Sequence, residues 1–150
     1  PLEAVKIMAN VAVITELDHE HFRKHFRADM GDVVDSISLS VVHTARNVGA
    51  VAIAALSPSG FTAKMTARHR STRPVYVFTP SKSVAQKTAL LFGCEPVVLS
   101  KLTNLAEATK LIKKSLQQNR FAKKGDKIVI SASVPFGIMK TTNCMLVETI

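Results

Sequence analysis

Tryptophan is absent from this 150-residue chain, tyrosine occurs once and phenylalanine seven times. Several of those rings are needed in a core, so stacking platforms for single-stranded nucleic acid are scarce. Cysteine occurs twice, at Cys94 and Cys144. That is too few for a disulfide framework or a zinc site and favours a reducing compartment, with both residues read as buried thiols. No apolar run reaches the roughly 18 residues of a membrane helix, so no membrane partner is expected. Neither a Gly-Lys-Ser/Thr phosphate loop nor a GxGxxG turn occurs, and ATP chemistry is therefore not encoded by any motif. After residue 75 the carboxylates are Glu95, Glu107, Asp126 and Glu148 alone, at no spacing that suggests an acid–base dyad. Pro1 opens the chain without an initiator Met, a basic n-region or a small-residue cleavage site. No secretory leader is expected, and the start reads as that of a fragment.

What is present is an ordinary globular composition, 47% hydrophobic and 21% charged, of a length that suits one domain spanning residues 1–150. The net charge is +9 and unevenly spread. Residues 1–75 carry nine bases and seven acids, residues 76–150 eleven bases and four acids. Such a balance attracts anions from phosphorylated metabolites to nucleic acid. With so few aromatics a nucleic-acid partner is not expected, and much of the charge reads as a solvated face.

Apolar periodicity predicts a first helix over residues 2–15, apolar nearly all round and therefore expected to be buried on more than one side. Residues 18–32 read as a polar connection with one helical turn. A second helix spans about Val33–Val48, with Ile37, Val41, Ala45 and Val48 on one face and Gly49 as its stop. Then the rhythm changes. Ala50–Leu56 reads as a strand buried on both faces, Thr62–Arg70 as a helix and Pro74–Phe78 as a strand. Ser83 and Gln86 form a capping-box pattern opening a helix through Phe92, and Glu95–Leu99 is the next strand. Asn104 caps a helix to about Asn119, with Leu105, Ala108, Leu111, Ile112 and Leu116 inward. Lys127–Ala132 and Met145–Ile150 are the last strands, joined by a loop too short for a crossover helix and hence antiparallel. Alternating strands and helices give an α/β fold: a three-layer αβα sandwich on a mostly parallel five-stranded sheet with an antiparallel last strand.

Ligands of open α/β sheets gather at the carboxyl ends of strands, where loops feed helix starts. The first such junction is Ser57-Pro58-Ser59-Gly60-Phe61-Thr62, where hydroxyls, a turn-forming glycine and helix-start amides can cradle a phosphate. The competing reading is an ordinary N-cap turn. The hydroxyls of Ser59 and Thr62 are expected near the surface. His19, His21 and His25 cluster, but metal ligation needs a third, supported partner, and a solvated polar connection explains them better. No catalytic constellation emerges, no metal or cofactor site is expected, and the chain by itself reads as inactive.

Three stretches carry a family resemblance. PLEAVKIMANVAVITE resembles the P-[LV]-E-A-V-x-x-M opening of the pyruvate kinase C-terminal domain. TARNVGAVAIAALSPSGFTAKMTARHRSTRPVYVFTP resembles that family's TAR…T-x-S-G-x-T-A…RP…TP block, and KKGDKIVISASVPFGIMKTTNCMLV its closing KKGD…TTN…V block. Together they cover Pro1 to Ile150. The resemblance implies the same α/β fold and a cytoplasmic glycolytic parent that transfers phosphate from phosphoenolpyruvate to ADP. It also implies magnesium and potassium at an active site in a barrel domain absent from this chain. It further implies an allosteric and assembly role for the present domain: a dimer in the fragment, a homotetramer in the parent. The T-x-S-G-x-T effector loop falls on Ser57, Ser59, Gly60 and Thr62, with Phe61 adding its amide, for a phosphorylated sugar. The chain departs from fructose-bisphosphate-responsive relatives in having no Trp, Ala108 where an Arg is aligned, and Lys140 where Gly is common. Lys101 and Lys140 are then candidate second anion contacts. A free-standing phosphometabolite-binding relative is the alternative reading.

Overall fold

The computed structural model describes residues 1–17, 32–99, 104–136 and 141–150. The His19/His21/His25 cluster, the polar connection around it, Lys101 and Lys140 lie outside the described residues. In chain order the elements are α1 (Leu2–Glu16), α2 (Val33–Asn47), β1 (Ala52–Leu56), α3 (Phe61–Ala67) and β2 (Val75–Thr79). They continue with α4 (Lys82–Thr88), β3 (Cys94–Val98), α5 (Leu105–Gln118), β4 (Lys127–Ala132) and β5 (Cys144–Thr149).

The strands form one sheet in the order β3-β2-β1-β4-β5. Its first four strands run parallel, and β5 pairs antiparallel with β4 from Lys127–Thr149 to Ala132–Cys144. Every residue of β1 and β2 is buried, as expected of central parallel strands covered on both faces. Alternate strand residues feed two cores. On one face Ile53, Ala55, Val75, Val77 and Val129 meet Val41 and Ala45 of α2 and Ala63 of α3. On the other, Ala54, Tyr76, Phe78, Ile128 and Ile130 meet Ala108, Ile112 and Leu116 of α5. The result is the three-layer sandwich that the alternating pattern predicts. β5 is the half-exposed edge, and a Lys113–Glu148 ion pair of 2.6 Å ties it to α5.

Local chemistry sets the helix ends. Asn104 caps α5, its Oδ1 accepting from the Glu107 amide at 2.9 Å, and Asp32 caps α2 through the amides of Val34 and Asp35. The capping pattern at Ser83 is displaced by two residues. Ser81, extended at φ −104°, is the cap, its Oγ accepting from Val84 N, and Ser83 lies inside the first turn. That helix also stops at Thr88, short of the expected Phe92, where Leu90 N–H and Leu91 N–H turn back onto the Lys87 and Thr88 carbonyls. Helix α3 starts at Phe61 and ends at Ala67, not Arg70, because Arg70 takes a left-handed φ of 45° that a helix cannot continue.

The largest departure is α1. An all-round apolar surface predicts burial, yet none of its residues is buried. Leu2, Val5, Ile7, Met8, Val11, Val13 and Ile14 are each more than half exposed. Among the described residues its last turn borders the body, where Val13, Glu16 and Leu17 line a cleft with Arg73, Pro74, Phe92 and Glu95. The apolar pattern is real, but among the described residues nothing covers it.

Candidate functional site

The loop after β1 crosses the carboxyl edge of the sheet and enters α3 through Gly60, which sits at φ +84°. Only glycine takes that conformation without cost. Space demands it as well, since a Cβ at Gly60 would stand 3.2 Å from Thr88 Cγ2 and 3.4 Å from Val84 Cγ1 of α4. The loop and α4 are thus drawn into close contact. Beside that contact lies a groove of about 280 Å³, lined in part by Ser59, Gly60, Phe61 and Lys64 of the α3 side and Lys87 of the α4 side. Two cations and no acid border it.

The hydroxyls divide into two groups. Ser59 is exposed. Ser57 is 1% exposed and its Oγ accepts the Ala63 amide at 3.3 Å, so part of its work is the helix-capping that the plainer reading foresees. Thr62, expected near the surface, is instead 3% exposed. Its Oγ1 hydrogen-bonds to Thr142 Oγ1 at 2.9 Å across 80 residues of sequence. The buried position follows from α3 packing its Thr62, Ala63, Met65 and Thr66 against the body. In the first turn of α3 the Ala63 and Lys64 amides are bonded to Ser57 Oγ and the Gly60 carbonyl. The amides of Phe61 and Thr62 precede any intrahelical acceptor.

The sequence alone does not single out Thr142, which ties the segment before β5 to the start of α3. Asn143 beside it clamps the start of its own loop. Its Oδ1 accepts from Val134 N at 2.8 Å and its Nδ2 donates to Val134 O at 2.6 Å. The Thr-Thr-Asn stretch is visible in the sequence, but no local spacing pairs residue 142 with residue 62. Lys64 and Lys87 were missed for the same reason: each reads as an exposed helix cation until the fold places both on one groove. Among the described residues no group of three His, Cys, Asp or Glu side chains gathers to hold a metal. No described helix is long and apolar enough to cross a membrane.

A family model described as pyruvate kinase, alpha/beta domain, matches residues 35–148. Curated relatives over the whole chain include the pyruvate kinases of Sporosarcina psychrophila (31% identical), Lactobacillus delbrueckii subsp. bulgaricus (32%) and Staphylococcus aureus (34%). The chain spans 26% of the length of each. A crystal structure of a pyruvate kinase from Cryptosporidium parvum superposes with a TM-score of 0.71 at 20% identity. It covers 79% of this chain and 23% of its own, a likeness of fold alone. With the sheet order, the antiparallel last strand and the Ser57–Thr62 loop in place, the chain belongs to the pyruvate kinase family, as its C-terminal α/β domain.

Proposed function

We propose that this chain is the regulatory and assembly domain of a pyruvate kinase, and that its Ser57–Thr62 loop takes the phosphate of a phosphorylated sugar. The observation that carries the reading is the groove in which Ser59, Gly60 and Phe61 lie beside Lys64 and Lys87 with no acid among them. An anion there would meet the Ser59 hydroxyl, the helix-start amides of Phe61 and Thr62, and two ammonium groups. Charge-assisted hydrogen bonds of that kind are worth roughly 1.5–3 kcal/mol each. Ser57 and Thr62 then act mainly as the frame: one holds the Ala63 amide, the other fastens the loop to Thr142. Lys101 and Lys140 are assigned to a second anionic group on the same ligand.

The parent enzyme in this reading is cytoplasmic and moves phosphate from phosphoenolpyruvate to ADP. Its magnesium and potassium are assigned to a part of it outside this chain, and the isolated chain should show no turnover in a coupled pyruvate assay. Assembly falls to α1 and β5. One carries seven exposed apolar side chains and the other is a free sheet edge, surfaces that a second copy can cover across a two-fold axis.

Calorimetric titration of the 150-residue chain with glucose 6-phosphate and fructose 1,6-bisphosphate tests the site. Ser59→Glu places a like charge in the groove and should abolish binding, while Lys110→Ala, on the far helix, should leave it within about twofold. Thr62→Ala is a poor probe, because it also strips the buried Thr142 hydroxyl of its partner. Unchanged affinity of Ser59→Glu, or loss of binding in Lys110→Ala alone, would place the ligand elsewhere and leave the loop a helix cap.

A further inference from the structure

Hydroxyls inside the helices of this chain commonly fold back on their own turn, the local way for a serine or threonine to satisfy its donor. Ser40 Oγ donates to Ser36 O at 2.8 Å, Thr66 Oγ1 to Thr62 O at 2.9 Å and Thr109 Oγ1 to Leu105 O at 2.9 Å. Ser38 of α2 does not. It is 0% exposed, and its Oγ has no hydrogen-bond partner within the protein. Ser131 of β4 shares that condition, 0% exposed with an orphaned Oγ. The residues paired with it across the sheet are Ala55 on β1 and Met145 on β5, whose side chains offer at most a weak thioether acceptor. A buried hydroxyl left without a partner costs its full desolvation, and native interiors seldom contain one.

Both serines face the layer between α2 and the sheet. Ile128, Ile130 and Ala132 of β4 belong to the core on the α5 side, and Val129 to the one on the α2 side. Strand alternation therefore turns Ser131 toward α2, which packs on β4 and β1. Ser38 lies on the buried stripe of α2 with Asp35, Val41, Val42 and Ala45. It stands one turn from Val41, which shares the core of Val129. Asp35, one turn the other way, has its Oδ1 committed to His69 and Arg68.

Few species can satisfy two such hydroxyls at once. Each donates one hydrogen bond and accepts others. A cation would use only the lone pairs and an anion only the donors, and neutral hydroxyls do not offset the cost of burying an ion. Water both donates and accepts. The surrounding core is built of short side chains, among them Ala45, Ala55 and Ala63, packed closely enough to limit a guest to that size. We infer that an internal water molecule is bound between α2 and β4, bridging Ser38 Oγ and Ser131 Oγ. The bridge fastens α2 to β4 just before Ala132, whose carbonyl accepts from Asn143 N at 3.2 Å, and beside Asn143 the Thr142 hydroxyl meets Thr62. It is part of the frame under the start of α3 and does not depend on what the Ser57–Thr62 loop binds.

A crystal structure of the 150-residue chain, at a resolution that orders solvent, should show one water within hydrogen-bonding distance of both Oγ atoms. Thermal melting reads the same bridge. Ser40→Ala, on the exposed side of α2, reports what alanine alone adds to the helix. Ser131→Ala should melt below the wild-type chain and Ser38→Ala below Ser40→Ala, because each strips the water of a partner. Ser38→Ala/Ser131→Ala should lose less than the two shifts added, since both act on one molecule. Alanine variants that melt above their references would mean bare hydroxyls and would overturn the proposal, as would additive shifts. So would a crystal structure in which that space is dry, or in which Ser38 Oγ folds back on Val34 O.

Discussion

Replacing Asp35 by alanine is expected to be among the most destabilising substitutions in the chain. Asp35 is 0% exposed in the first turn of α2, and its Oδ1 lies 2.9 Å from Nε2 of His69, itself 1% exposed. Arg68 approaches the same oxygen at 3.2 Å, but its side chain is 43% exposed. The carboxylate therefore fastens the start of α2 to the end of α3 inside the protein. Removing it strands a buried imidazole, and removing His69 takes from the buried carboxylate its buried partner. Breaking a buried pair from either side costs about 3–5 kcal/mol, a large part of the roughly 5–15 kcal/mol that holds a domain folded. Arg68→Ala, losing a pair that water already screens, should cost less than about 1 kcal/mol. Asp35→Asn keeps the volume and one hydrogen bond, and should fall between, at about 1–3 kcal/mol. Urea unfolding followed by far-UV circular dichroism measures all four variants. Because both single deletions break one and the same contact, Asp35→Ala/His69→Ala should lose less than the two costs added. The reasoning fails if Asp35→Ala costs under 1 kcal/mol, if Arg68→Ala costs as much as His69→Ala, or if the double variant is additive.

Three further outcomes follow from other parts of the molecule. Burial pushes the Cys94 thiol up from 9.0 to about 11, so at pH 8.5 a disulfide reagent should label half-buried Cys144 first and Cys94 only on unfolding. The unfolded thiol gives up its proton near pH 9 while the folded one keeps it to about 11, so stability is full below pH 9 and falls above it. The loss reaches roughly 2–3 kcal/mol. Tyr76, raised by burial and then by the charge of Glu95, acts in the same direction, and a flat stability profile from pH 8 to 11 would refute both. Gly60→Ala should cost about 1–2 kcal/mol for its left-handed backbone, more if Thr88 does not yield, and should weaken sugar-phosphate binding; a neutral, fully binding variant would contradict the geometry. Met8→Glu, on the exposed surface of α1, should leave stability unchanged but convert a dimer to monomer in sedimentation, and a wild-type chain that stays monomeric at high concentration would remove the assembly role from α1.

Where the sequence was a good guide, the signal was local and its cause lay within the chain. The runs at 52–56 and 128–132 announce central strands because both of their faces are covered, so no polar residue needs to alternate. Asn104 announces a helix start because the amide it satisfies, that of Glu107, is three residues away. Local signals also miss locally: Ser81 and Ser83 flank Lys82, either can cap, and only the extended backbone at Ser81 decides between them.

Where it misled, the cause lay at a distance. The apolar surface of α1 predicts burial, but periodicity reports what a helix needs covered and not which residues cover it. Thr62 looked like a surface hydroxyl because its partner is 80 residues on. Asp35 and His69 meet across 34 residues, and no local spacing announces the pair. These residues share one property: each polar atom is matched across a long stretch of sequence, so neither member of the pair carries a pattern of its own. The left-handed residues just past the ends of α2 and α5, Gly49 and Arg120, make the contrast sharpest. Gly49 is foreseeable as a helix stop, because the backbone alone calls for it. Arg120 is not, because nothing within α5 favours an arginine in a left-handed conformation.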